Sequence, residues 1–173
     1  DVGVYVADGL VEFFADRAVA TADLLTPNHF ELGVLSGGPV IAAPVDASLE
    51  AARALLPRMR PGGCVLVTSF EPAGARDDRV AMLAVTADQA WIVETPRLAF
   101  TLSPHGAGDL AAALFAAGYV ETGDPGTALS DMATRLHAVL AQTAKQDSAE
   151  LELVASRVAF MSPRELFVAR PCV

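Results

Sequence analysis

Gly106-Ala107-Gly108-Asp109, running straight into the apolar stretch 110–117, is the segment of this sequence best equipped for chemistry. A turn of small residues opening onto a helix leaves several backbone N–H groups unpaired, and the helix dipole adds about half a positive charge there. Such a place binds anions, phosphate above all. A carboxylate in the first helical turn, Asp109, can take a proton from a hydroxyl held beside that anion. Together the two features suggest phosphoryl transfer to an alcohol. Alone, the Gly-x-Gly-Asp pattern is a weak signal, because small-residue turns before helices are common.

Other polar residues fall at comparable places. Thr26-Pro27-Asn28 follows a short apolar stretch; Pro27 stops a strand and Asn28 can cap the next helix, whose first turn holds Glu31. Thr68 and Ser69 end a strongly apolar run and offer hydroxyls to a phosphate. Taken singly, these are equally well a strand stop, a helix cap and an ordinary strand end. Ser103, His105 and Asp109 are near enough in sequence to raise a hydrolase, yet no Gly-x-Ser-x-Gly elbow is present, and residues on one short loop rarely converge as a triad. His29, His105 and His137 do not cluster, and Cys64 and Cys172 fit no metal-ligand spacing, so zinc is not expected. Cys64, inside an apolar run, reads as core.

With 173 residues, the chain reads as a single domain over 1–173. Its 53% hydrophobic content excludes a disordered class. A net charge of −9, from 12 basic and 21 acidic residues, disfavours a nucleic-acid binder, whose affinity rests on cationic contacts. Lys145 is the only lysine, so no phosphate-binding Gly-x-x-x-x-Gly-Lys loop exists. A nucleotide site must therefore use backbone amides, hydroxyls, arginine and metal. No apolar run approaches the ~20 residues of a membrane span, and no signal-peptide pattern opens the chain, so a cytoplasmic location is expected.

Helical and extended stretches alternate. Residues 3–6 read as a short strand, 10–17 as a helical turn or two, and 22–25 as a strand stopped by Thr26-Pro27. A helix carries 30–35 and ends at Gly37-Gly38-Pro39; another covers 46–59 with Asp46 as cap, broken by Pro61-Gly62-Gly63 before a strand at 64–68. Segments 80–86 and 90–94 make a hairpin around Ala87-Asp88-Gln89, and 98–102 a strand leading into the glycine turn. Residues 107–117 form a helix of small apolar residues, expected to be buried nearly all round. A turn at 123–126 precedes a long amphipathic helix at 127–145, and 151–158 make one more. This alternation predicts an α/β fold with a largely parallel sheet, its ligands at the strand carboxyl ends, where Thr26, Thr68 and the glycine turn all fall.

In combination, several segments resemble the ribokinase-type kinases and, within them, the pyridoxal kinases. They are Ala22-Asp23-Leu24-Leu25-Thr26-Pro27-Asn28-His29-Phe30-Glu31-Leu32, Val65-Leu66-Val67-Thr68-Ser69, Glu94-Thr95-Pro96-Arg97-Leu98, Gly106 to Phe115, and Glu150-Leu151-Glu152-Leu153-Val154. The resemblance runs over essentially the whole chain. It implies a ribokinase-like three-layer sandwich with a mainly parallel central sheet. It also implies ATP-dependent phosphorylation of the 5′-hydroxymethyl group of pyridoxal, giving pyridoxal 5′-phosphate in vitamin B6 salvage.

By that resemblance Asp109 is the base and a substrate contact, and the amides of Gly106, Ala107 and Gly108 hold the transferred phosphoryl group. Thr26, Asn28 and Glu31 would lie near the triphosphate and Mg²⁺, Glu31 acting through a metal-bound water. Thr68 and Ser69 would contact nucleotide phosphate or ribose, Thr95, Pro96, Arg97 and Leu98 would border the adenosine, and Tyr5 would approach the nucleotide. The implied cofactors are ATP and Mg²⁺, with room for a monovalent cation; the implied partners are pyridoxal, related B6 vitamers and a second copy in a homodimer.

The sequence departs from the family pattern in three ways. Ala107 replaces a common threonine, which should be tolerated because the contacts come from backbone amides. Thr68-Ser69 stands where some bacterial relatives carry a lysine. The chain also corresponds to the C-terminal two-thirds of the family's usual length, lacking the N-terminal part of the fold and most of the vitamer pocket. The sheet is therefore expected to expose an apolar edge and face, and the polypeptide alone to be an incomplete kinase or an inactive fragment. The alternatives are another kinase of this fold, for a hydroxymethylpyrimidine or a sugar, or a catalytically incompetent nucleotide-binding or interaction module. Hydroxymethylpyrimidine kinases tend to carry cysteine where Asp109 stands, which leans away from them.

Overall fold

Three runs rich in valine, leucine and isoleucine make the long strands β2 (Cys64–Phe70), β3 (Arg79–Val85) and β4 (Ala90–Pro96). Their nearly continuous apolar pattern is that of strands covered on both faces. A computed structural model of the protein describes residues 7–38, 45–70 and 78–172; the expected strand at 3–6 and Tyr5 lie outside them. The sheet order is β1-β2-β3-β4-β5, with β1 (Leu24–Leu25) and β5 (Arg170–Pro171) as two-residue edges.

Only β1 and β2 pair in parallel; the other three pairings are antiparallel. The sheet is therefore mixed, correcting the expectation of a mainly parallel one. For β2–β3 and β3–β4, connection length is the reason. A parallel crossover needs a dozen or more residues, whereas β3 turns into β4 at once, the turn closed by Thr86 N–H donating to the Gln89 carbonyl at 2.8 Å. The segment from Phe70 to Arg79 is likewise too short.

Alternate residues of β2 feed two separate cores, as a period of two requires. Val65, Val67 and Phe70 pack with Leu32, Leu49, Leu55 and Val19 on one face. Cys64 and Leu66 pack with Phe115, Leu129, Met132 and Ala133 on the other. Helices α3 (His29–Ser36) and α4 (Val45–Leu55) thus cover one face, and α5 (Ala107–Thr122) and α6 (Pro125–Gln146) the other, giving three layers. Neither face of the long strands is left bare, contrary to expectation. The exposed large apolar residues sit instead on helices and connecting segments, among them Phe13, Leu102, Val120, Val154, Val158 and Val168.

Several boundaries moved. The first helical stretch continues past Arg17: α1 (Leu10–Phe13) passes through a π turn (Phe14–Ala18) into α2 (Val19–Thr21). Asp46 lies in the first turn of α4 rather than capping it. Residues 98–102 form no strand: the chain leaves β4 after Pro96 and crosses the sheet edge with no neighbour to pair with among the described residues. Helix α5 is not buried all round, since Ala111 and Phe115 alone are fully enclosed. Its alanines suit either environment, so composition could not tell an outward face from an inward one. Helix α6 starts two residues early, because Asp124 accepts from Thr127 N–H at 2.6 Å and Pro125 suits the first helical position. Gly126 then lies against Trp91, whose ring would stand 2.7 Å from any Cβ there. The last helix, α7 (Arg157–Met161), is shorter and later than the expected 151–158. Among the described residues no helix is long and apolar enough to cross a membrane.

Candidate functional site

Strands β1, β2 and β4 run in the same direction, so their carboxyl ends share one edge of the sheet. Thr68 N–H donates to the Pro27 carbonyl at 3.0 Å, tying the Thr26-Pro27-Asn28 stop to the end of β2. Arg79 pairs with Pro96 at the same edge. Asn28 forms a full capping box: its side chain accepts from Glu31 N–H, and the Glu31 carboxylate accepts from Asn28 N–H, both at 2.9 Å.

The glycine turn arrives at this edge from the other side. Gly106 is the N-cap of α5 with φ +86°, a left-handed conformation that favours glycine, and no side chain caps the helix. The first helical bond runs from Leu110 N–H to the Gly106 carbonyl at 3.0 Å, so the amides of Ala107, Gly108 and Asp109 precede the ladder. The turn is pinned from outside: His105 N–H donates to the Ala149 carbonyl at 2.9 Å, and a Cβ on Gly106 would stand 3.6 Å from Leu151 Cδ1.

Between these elements lies a cavity of about 360 Å³, within the range of small-molecule sites. Of the expected site residues, Thr68, Ser69, Thr95, Pro96, Arg97, Leu98, Ala107 and Gly108 line it. Gly106 and Asp109 flank this wall without lining it, and Asp109 is exposed rather than packed among apolar side chains. Thr26, Asn28 and Glu31 stand beside the cavity through the β1–β2 link and do not line it either. Tyr5 lies outside the described residues.

Sequence reasoning missed the apolar half of the cavity. Val80 and Met82 come from β3, Phe100 from the crossing segment, and Leu136, His137 and Leu140 from one face of α6. The four-residue spacing of Leu136 and Leu140 was a readable signal for a shared face, but not for which cavity it meets. The conformation of Ser69, itself an expected site residue, was also unreadable. The residue has φ +43°, where the β2–β3 register shifts between Val67 and Phe70. A serine held there stores about 1–3 kcal/mol of strain, which recurs at ligand sites, and the bulge turns it outward at the cavity wall. No hydrogen bond joins Ser103, His105 and Asp109 among the described residues. Burial pushes the Cys64 thiol up to about 12, that of a core residue rather than a nucleophile.

His137 is almost enclosed, with Nε2 3.5 Å from Glu165 Oε2 and its ring edge-on to Phe167 at 4.8 Å. Burial lowers its pKa from the ordinary 6.5, and Glu165 partly opposes that. Burial lowers His29 as well, whose Nε2 is 3.1 Å from Ser48 Oγ. Below about pH 6.5 the unfolded chain therefore binds more protons than the folded one. The contribution of both rings should be complete above that pH and decline as the pH falls below it. Denaturant titrations at pH 7.5 and 5.5 should show lower stability at pH 5.5, with the difference reduced in His137→Gln.

The sequence profile of the phosphomethylpyrimidine kinase family matches residues 4–151. The chain is 43% identical over 166 residues to the pyridoxal kinase PdxY of Leifsonia xyli subsp. xyli, covering 95% of this chain and 56% of that protein. It is 39% identical over 169 residues to the PdxY of Deinococcus radiodurans, covering 96% and 56%. The chain thus spans a little over half the length of these curated relatives, below the expected two-thirds. A pyridoxal kinase of Leishmania donovani in complex with ADP and pyridoxine superposes with TM-score 0.82 at 21% identity, over 100% of this chain and 58% of that one. The Plasmodium falciparum PdxK structure with AMP-PNP and PL gives the same TM-score at 17% identity, over 100% and 57%. At those identities the likeness speaks for the ribokinase-like fold alone. An uncapped glycine turn facing the carboxyl edge of an α/β sheet, and a family profile that covers most of the sequence, lead to one assignment: the chain belongs to the phosphomethylpyrimidine kinase family.

Proposed function

We propose that this chain, as one ribokinase-like kinase domain over 1–173, carries the nucleotide-binding and base-bearing face of an ATP-dependent pyridoxal kinase. The observation that carries the reading is the uncapped start of α5, whose Ala107 and Gly108 share a cavity wall with Thr68 and Thr95. The names of the two bacterial relatives support pyridoxal over other acceptors.

In this reading the adenosine lies against Thr95, Pro96, Arg97 and Leu98, with Leu136 and Leu140 as its apolar wall. Thr68 and Ser69 donate hydroxyls to phosphate, and Thr26 and Asn28 sit near the triphosphate. The amides of Gly106, Ala107 and Gly108 meet the migrating phosphoryl, each worth about 3 kcal/mol when preorganised. Asp109 takes the proton of the 5′-hydroxymethyl group. Among the described residues no cluster of three acidic or histidine side chains is arranged to hold a metal, but Mg²⁺ commonly uses one or two carboxylates plus substrate phosphates. Glu31, exposed at the sheet edge, fits such a role through water. Bound Mg²⁺ would neutralise phosphate charge that a lone carboxylate would repel. A homodimer, a monovalent cation and a cytoplasmic setting complete the proposal.

Gly108→Val tests it. A Cβ at Gly108 meets nothing within 4 Å and Gly108 lines the cavity, so a valine starts in open space and takes up room at the cavity wall. Stability should be unchanged or slightly raised, glycine being a poor helix former by about 1 kcal/mol. Calorimetric Mg·ATP affinity should fall at least about tenfold. Unaltered nucleotide binding, or a folded parent chain with none, would defeat the assignment. A panel of pyridoxal, hydroxymethylpyrimidine and sugars with labelled ATP separates the acceptors, the family's own description keeping the pyrimidine in play.

A further inference from the structure

A second cavity, of about 440 Å³, lies between α6 and α7, and His137 lines both it and the first. Its wall joins Lys145 and Gln142 of α6 to Arg164, Glu165 and Ser162 beyond α7. Its apolar lining comes from Ala138, Ala141, Ala155, Ala159, Val158 and Pro163.

The charge pattern is unusual for this chain. The protein carries −9 overall, yet its only lysine and an arginine face the same hollow. Neither Lys145 nor Arg164 has an ion-pair or hydrogen-bond partner among the described residues. The one acid in the wall, Glu165, stands beside His137 instead. Two unpartnered cations around an apolar lining match a small body carrying a doubly charged anionic head, which Arg can grip with its planar fork and Lys as a point charge.

We propose that this second cavity binds a small organic phosphate monoester, held by Lys145 and Arg164 with its apolar body against the apolar lining. The inference stands apart from the kinase reading, because none of the glycine turn lines this hollow. Phenyl phosphate, titrated into the full chain and followed by calorimetry, should bind saturably at one site outside the glycine turn and more weakly as ionic strength rises. Benzyl alcohol, a similar body without the charge, should not bind. The double variant K145Q/R164Q, which removes side chains with no ion pair or side-chain hydrogen bond among the described residues, should lose at least tenfold in affinity with an unchanged circular dichroism spectrum. E165Q should gain severalfold, since it removes the negative charge from the wall. Binding should survive Gly108→Val. The proposal is overturned by a lack of saturation, by affinity indifferent to K145Q/R164Q, or by loss of binding in Gly108→Val, which would place the phosphate at the glycine turn.

Discussion

Asp109→Asn should slow phosphoryl transfer to pyridoxal by about 10²- to 10⁴-fold while leaving Mg·ATP binding essentially intact. That loss corresponds to about 3–5 kcal/mol of transition-state stabilisation. The argument is local. The amides of the first turn of α5 remain in place in the variant, because they belong to the backbone, so the phosphate cradle survives. What disappears is the carboxylate proposed above to accept the acceptor's proton, and asparagine, of nearly the same size, cannot accept it. Asp109 is exposed and makes no hydrogen bond that holds the fold among the described residues, so stability should hardly change. Single-turnover transfer beside equilibrium nucleotide binding measures both halves. A variant as fast as its parent would remove Asp109 from the chemistry, and a variant that loses nucleotide binding would make it a binding residue instead.

The second large effect is structural. Phe115→Ala should destabilise the protein by about 3–5 kcal/mol. Phe115 is fully buried between α5 and the sheet, among Leu66, Met82, Leu129 and Met132, with Tyr119 stacked at 5.7 Å. Total stabilities of about 5–15 kcal/mol leave little margin for such a loss. The same ring fixes α5 against the sheet, and α5 begins with the glycine turn. Nucleotide affinity should therefore fall in the folded variant too, more than in a control at exposed Val120. Urea titration with an unchanged m-value would confirm the stability effect; a loss under 1 kcal/mol would mean that α5 is held by something other than this core.

Much of this was legible because it depends on short stretches of chain. Asn28 was readable as the cap of the next helix and caps it, while the reciprocal bond from Glu31 that completes a capping box was not read. The hairpin around Ala87-Asp88-Gln89 was readable from turn residues between two apolar runs, and it is there. The turn of small residues at 106–108 was readable as a helix start, and α5 begins there with Gly106 at φ +86°. The errors share a different character. Strand direction, the outward face of α5 and the path of residues 98–102 all depend on what the segment meets, not on what it is.

The helix start at the glycine turn, the Asn28 cap and the α/β alternation were decided by sequence alone, since each rests on backbone propensities and hydrogen bonds within a few residues. Tertiary structure decided the rest: that Thr68, Thr95 and Gly108 share one cavity, that Leu136 and His137 from a distant helix close it, and that Ser69 takes a left-handed conformation at its wall. These are meetings of segments far apart along the chain, and they are selected by how two cores pack on opposite faces of one sheet. No window of sequence carries that information, because packing free energy belongs to pairs of surfaces and not to either surface by itself.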